Sequence, residues 1–221
     1  MRPILFADNN WEGGIRVAAL LAGGALPEAV RGGTLEGFIH EADWYATFCY
    51  LAGVDPTDDA AAEAGLPPID SLNVWPLISG ANLTSPRVEW SLTPFGEDFT
   101  SANGSRALHG GDAGFMAEGR YKLLWGSVAQ AGWCGQIHPN LTQPWDSFAM
   151  VANCSSGCLF DVLTDPNEHN DLAASMPEKV QEIYQKMVAA EQDWFDPDRG
   201  EPDARACDLA ESSGFWQPFL P

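Results

Sequence analysis

Hydrophobic and polar positions change rhythm several times along the chain. Residues 15 to 22, Ile-Arg-Val-Ala-Ala-Leu-Leu-Ala, form a short apolar run between the Gly13-Gly14 and Gly23-Gly24 pairs. Such a run suits a buried strand of a mostly parallel sheet, here the last strand of a larger α/β layer. From Asp43 onward Trp44, Phe48 and Leu51 recur at helical spacing, Asp43 can cap the first turn and Gly53 can close the last. The spacing predicts a helix there. Between Pro56 and Pro68 acidic residues and alanines lack apolar periodicity, which predicts an exposed loop with a short helical piece in it.

The middle of the chain alternates. Val88-Glu89-Trp90-Ser91-Leu92, Gly114-Phe115-Met116-Ala117 and Tyr121-Lys122-Leu123-Leu124-Trp125 are strand-like pieces separated by Gly, Asn and Asp, and they predict a small antiparallel sheet. Residues 96 to 112 read as a loop, and 126 to 158 as an irregular, stapled surface excursion. Ser175-Met176-Pro177-Glu178 has the form of a capping box. After it Val180, Ile183, Tyr184, Met187, Val188 and Trp194 make an apolar stripe, so a final helix should lie on the sheet. Beyond Phe195 the mixture of Asp, Pro, Arg and Gly predicts a tail without helix, wrapping the surface as far as Phe215-Trp216. No internal repeat is visible.

Composition narrows the function. The chain has 221 residues, 45% of them hydrophobic and nine of them Trp, enough to build a core. Against 31 acidic residues stand 11 Lys plus Arg, and the net charge of −20 opposes binding to nucleic acid, anionic membranes or sulfated polysaccharides. The apolar stretch from Val17 to Leu26 is about half of a bilayer span and is broken by Gly23 and Gly24, so no membrane span is expected. Residues 1 to 8 lack the apolar core of a signal peptide. Yet Asn82, Asn103, Asn140 and Asn153 all head glycosylation acceptor triplets, where about one is expected by chance. Five cysteines suit the same oxidising route: Cys134, Cys154 and Cys158 lie close together and predict a bridge among them, while Cys207 sits in a tail that would gain from tethering. An odd count leaves a free thiol or a partner elsewhere. Export-like features without a leader place the expected natural beginning before Met1.

An ordered set of short motifs carries the strongest signal. It comprises Trp11-Glu12-Gly13-Gly14-Ile15-Arg16, His40-Glu41-Ala42-Asp43-Trp44, Pro68-Ile69-Asp70-Ser71 with Trp75, Gly119-Arg120-Tyr121-Lys122-Leu123-Leu124, and Leu159-Phe160-Asp161 with Asp165-Pro166-Asn167-Glu168. In order and spacing this set resembles the carboxyl-terminal portion of sulfatases of the arylsulfatase B type. The resemblance implies a mixed α/β fold: residues 1–85 as the end of the sulfatase and alkaline-phosphatase-like α/β sheet domain, and residues 86–221 as an antiparallel sheet packed by a long helix, with a tail. It also implies a sulfuric ester hydrolase that acts on sulfate esters, holds calcium when complete, and follows the secretory route to a secreted or lysosome-like destination.

The chemistry of that family needs groups this chain does not match. Its nucleophile is an oxidised cysteine or serine in a Cys-x-Pro-Ser-Arg setting, and none of the five cysteines here stands in one. Asp8-Asn9 resembles a calcium-holding pair but lies immediately before the Trp-Glu-Gly-Gly turn rather than well ahead of it, so a turn role is expected. No Lys precedes Lys122 to hold a sulfate ester. Arg16 is expected to pair with Glu12 or a neighbouring carboxylate, His40 to be a satisfied, partly buried histidine, and the run Asp161, Asp165, Asn167, Glu168, Asn170, Asp171 to be an Asp-Pro turn. No catalytic residue and no metal ligand is therefore assigned to the chain, whose principal partner would be an amino-terminal catalytic half. Two alternatives stand beside this reading: a noncatalytic secreted binding or assembly module derived from a sulfatase, and an inactive remnant that folds poorly.

Overall fold

The computed structural model describes residues 10–93, 112–129, 151–190 and 203–217. Ten principal elements follow in chain order: α1 (Glu12–Ile15), α2 (Asp43–Ala52), α3 (Asp59–Glu63), α4 (Trp75–Ile78), β1 (Trp90–Thr93), β2 (Asp112–Ala117), β3 (Tyr121–Ala129), β4 (Val151–Asp161), α5 (Pro177–Ala190) and α6 (Ala204–Ser213). The fold is mixed α and β. Its centre is a four-stranded antiparallel sheet in the order β1-β2-β3-β4.

Alternation along the strands creates two cores. Met116, Leu124, Val128, Phe160 and the cysteines of β4 face one side, where Trp11 from the start of the chain packs edge-on against Phe160. Phe115, Leu123 and Leu159 face the other, against Ile183 and Met187 of α5. The predicted stripe of the final helix is thus buried at its centre, while Val188 is exposed and Trp194 lies outside the described residues. The helix begins differently from the prediction. Ser175 Oγ donates to the Leu172 carbonyl at 3.0 Å instead of closing a capping box. Pro177 opens α5, where a missing N–H is harmless.

β4 was hidden in a stretch that reads as irregular. Between the pairs Leu124↔Cys158 and Gly126↔Cys154, residues 155–157 bulge against Trp125, and the bulge erases the two-residue rhythm. A Cys154–Cys158 disulfide closes it. At its crest Gly157 has φ +87°, and a Cβ there would come within 2.9 Å of Val180, so glycine is what lets α5 approach the sheet.

Three further expectations need correction. Residues 16–22 form no strand; Val17 and Leu20 are among the most exposed apolar side chains, and among the described residues no parallel strand stands beside them. A strand buried in a parallel sheet exists only by pairing. The tail beyond Phe195 holds a helix, α6, whose end is set by Asp203 accepting from the Arg205 amide at 2.9 Å and by Gly214 in a left-handed C-cap. Finally, α2 forms as predicted and ends at Gly53, but its predicted apolar stripe faces outward. Phe48 is 59% exposed, whereas Asp43, Ala46 and Thr47 are buried.

Candidate functional site

Lys122 lies on the inward face of β3, between Met116 and Phe160 across the ladder. It is fully buried. A buried ammonium is tolerable only when oxygens replace its water. Three do: the Asn10 carbonyl at 2.8 Å, Glu12 Oε1 at 3.0 Å and Glu168 Oε1 at 2.5 Å. Glu168 Oε2 in turn accepts from the Glu12 backbone N–H at 2.7 Å. Residues far apart in sequence, from the Trp-Glu-Gly-Gly turn, the Gly-Arg-Tyr-Lys strand and the Asp-Pro-Asn-Glu turn, therefore converge on one charged cluster beneath the sheet.

The electrostatics are unequal. Two carboxylates, each almost wholly buried, share one ammonium, and Arg16 adds a distant partner at 3.6 Å from Glu12 Oε2 on the solvent side. Glu12 Oε2 and Glu168 Oε1 have no well-aligned hydrogen bond. Burial pushes the Glu168 carboxyl above its ordinary range, and the attraction of the Lys122 ammonium together with the Glu12 backbone amide offsets that only in part. Glu168 also sits at φ +56°, a left-handed conformation that costs a residue with a Cβ about 1–2 kcal/mol. Its ion pair with Lys122 holds it there.

A second buried pair fixes the entry to α2. Arg87 grips Asp43 through both Nε and Nη2, at 2.6 to 3.0 Å, and also donates to the Asp70 carbonyl. Asp43 does not cap its helix but accepts from the backbone amides of His40 at 2.8 Å and Leu72 at 3.0 Å. Burial raises the Asp43 carboxyl, yet Arg87 and these two amides outweigh it and hold the group below its usual range. Ser71 and Thr47 complete the clasp: Ser71 Oγ accepts from the Ala46 amide and donates to the Ala42 carbonyl, and Thr47 Oγ1 accepts from the Val74 amide. The His-Glu-Ala-Asp and Pro-Ile-Asp-Ser motifs are one structural joint. His40 is half-buried, its Nδ1 accepting from the Ala42 amide at 3.2 Å.

The remaining sequence candidates are dispersed. Asp161 pairs with Arg120, Asp165 accepts from the Asn170 amide, and Asp171 accepts from the Leu159 amide, so all three carboxylates of that turn are engaged within the chain itself. Asn82 and Asn153 are exposed. Asp8, Asn9, Asn103, Asn140 and Cys134 lie outside the described residues. Cys207 is a free, exposed thiol on α6 rather than half of a bridge, and Cys49 is also free.

Could this chain's carboxylates hold calcium? Among the described residues no group of three or more Asp, Glu, His or Cys has the arrangement of a metal site. The buried carboxylate pair among the described residues, Glu12 with Glu168, already encloses the Lys122 ammonium, and Asn10 is engaged with Thr93 and Lys122. Calcium takes six to eight oxygens in a flexible shell. The described residues do not fit it.

The comparisons with known proteins bear on what this cluster belongs to. In an alignment 188 residues long that takes in 80% of the chain, the sequence is 27% identical to mouse (Mus musculus) arylsulfatase J, of which it covers 29%. The chain is related to the sulfatases over part of their length. No family model matches this sulfatase-related chain. Among solved structures it is similar to a protein described under the metabolism of multiple glycosaminoglycans by Bacteroides thetaiotaomicron ("BT33336S-sulf"), at 20% identity and a TM-score of 0.40, covering 68% of this chain and 24% of that one. That superposition is too loose to bear on the site. The chain thus spans less than a third of the length of the curated sulfatase it matches.

Sequence reasoning assigned no role to Lys122 and did not single out Arg87 or Asn10. A signal for Lys122 existed. Alternation puts it on the same side of its strand as Leu124, and a charged residue on an inward-facing position demands buried partners.

Proposed function

We propose that this chain is the carboxyl-terminal part of an arylsulfatase-like sulfuric ester hydrolase, serving as the brace for a reaction centre built by other residues. Residues 1–85 would close the α/β domain of such an enzyme and residues 86–221 would form its carboxyl-terminal subdomain. The observation that carries this reading is the buried Lys122 cluster, which fastens the Trp11-Glu12-Gly13-Gly14 turn to the sheet from both sides. Every charged group of the cluster is engaged with another, so it positions backbone and offers nothing to a substrate. Calcium, sulfate-ester substrates and passage through the secretory route belong to the complete enzyme in this reading.

An aryl sulfate assay tests it. The purified chain, with and without added calcium, should release no phenol above the buffer rate from a nitrophenyl sulfate, and turnover at ordinary enzymatic rates would overturn the reading.

A second reading has one observation in its favour. The outward apolar face of α2, with Tyr45, Phe48 and Leu51 exposed, suits a noncatalytic module that binds or assembles through it. The transcript upstream of the Met1 codon separates the two. A continuous frame containing a Cys-x-Pro-Ser-Arg segment supports the enzyme; an independent start supports the module.

A further inference from the structure

β4 is the last strand of the sheet in its described order, and its two halves are treated differently. Near its end the outer edge is sealed by the following turn: the Leu159 amide donates to Asp171 Oδ1 at 2.9 Å, and the Leu159 carbonyl accepts from the Leu172 amide at 2.7 Å. Toward Val151 no such strap crosses the strand among the described residues. An open strand edge is a template for pairing with another chain and needs a device that blocks it.

The acceptor triplet Asn153-Cys154-Ser155 occupies this half, which the described residues leave without a strap. Asn153 is exposed while Cys154, its neighbour, is buried and bridged to Cys158. Its carboxamide is arranged as that of Asn82 is, in the exposed triplet after α4. In each, Oδ1 accepts from both the amide and the hydroxyl of the residue two places on, at 3.2 and 3.2 Å from Thr84 and at 3.2 and 2.7 Å from Ser155. Among the described residues no hydrogen bond engages Nδ2 of either asparagine. Both triplets are exposed at the asparagine, as acceptor sites require.

We propose that Asn82 and Asn153 carry N-linked oligosaccharide and that the glycan on Asn153 shields the half of β4 that no described residue straps. The donor is an oligosaccharide on a lipid diphosphate. Asn Nδ2 forms the bond to the anomeric carbon and gives up a proton, while the sugar's bond to the diphosphate oxygen breaks and the lipid diphosphate leaves with the electron pair. Asn153 is paired to Ser127 in the finished sheet, so it is modified before β4 docks, whereas Asn82 stays accessible throughout. For the natural chain the proposal rests on the secretory reading above.

Supplying a cleavable leader makes the test independent of that reading. The full chain is secreted from eukaryotic cells, treated with peptide N-glycosidase in heavy-oxygen water and mapped by mass spectrometry. Heavy-oxygen aspartate is expected at 82 and 153, and Thr84→Ala and Ser155→Ala should each remove one glycan-sized mass step that Thr84→Ser and Ser155→Thr retain. Replacing both Cys154 and Cys158 by Ala should raise occupancy at 153 and leave 82 unchanged. Asn153→Gln and Ser155→Ala should both shift the secreted chain toward larger species in light scattering. A chain with cleaved leader and an intact Cys154–Cys158 bridge but unmodified Asn82 and Asn153 overturns the proposal. Variants lacking the Asn153 glycan that stay as monodisperse as the parent overturn the shielding role.

Discussion

At the scale of single residues, the cost of charge burial decides what each substitution does. Lys122→Met preserves shape but leaves Glu12 and Glu168 facing each other without an ammonium, and should lower unfolding stability by about 3–5 kcal/mol in a urea titration. Neutralising both carboxylates in the same background should recover part of that loss. The two buried pairs also respond to pH with opposite sign. Because Glu168 is raised above its ordinary 4.5, the folded chain keeps that proton when the unfolded chain has lost it, and stability from this group falls as pH rises from 4.5 to the folded value. Asp43 lies below its ordinary 3.8, so its contribution is complete above 3.8 and disappears as pH falls through the folded value. Chemical denaturation across pH should therefore show Glu168→Gln flattening the limb above 4.5, and Asp43→Asn lowering stability most at neutral pH, where Arg87 is left buried without its partner.

At the scale of elements, packing separates what the sequence states from what it conceals. The antiparallel pieces around Phe115 and Leu123 and the helix through Ile183 and Met187 were legible because each presents one apolar face at its own period, and those faces meet. Ile183→Ala should cost about 2–5 kcal/mol by the same unfolding measurement. β4 was illegible because its bulge at residues 155–157 breaks the period, and α6 because Asp203 and Gly214 act as caps in a segment whose composition suggests coil. The outward stripe of α2 was misread for a physical reason: Asp43 and Thr47 are more demanding than Phe48, since a buried carboxylate must find Arg87 while an exposed ring costs little. Phe48→Ser should accordingly leave stability within about 0.5 kcal/mol. Of the candidate site, the motifs were legible but their convergence was not, because nothing local in Glu12 or Glu168 says that both reach Lys122.

For the whole molecule, the charge of −20 is carried by a small acidic body, and its self-repulsion opposes compaction. Raising sodium chloride from 0.01 to 0.15 M shortens the screening length from about 30 to about 8 Å. The melting temperature should rise over that range, and a fall would mean that the surface ion pairs of Lys179 and Lys186 outweigh the repulsion. The long reach of the Lys122 cluster bears on how the protein is made. Glu12 waits for a partner 156 positions later, which a ribosome adding about 5–20 residues per second delivers roughly 8 to 30 s afterwards. Until Glu168 follows Lys122 out of the exit tunnel the latch on Trp11 and its neighbours is incomplete, and a chaperone that recognises aromatic segments has its opportunity in that interval.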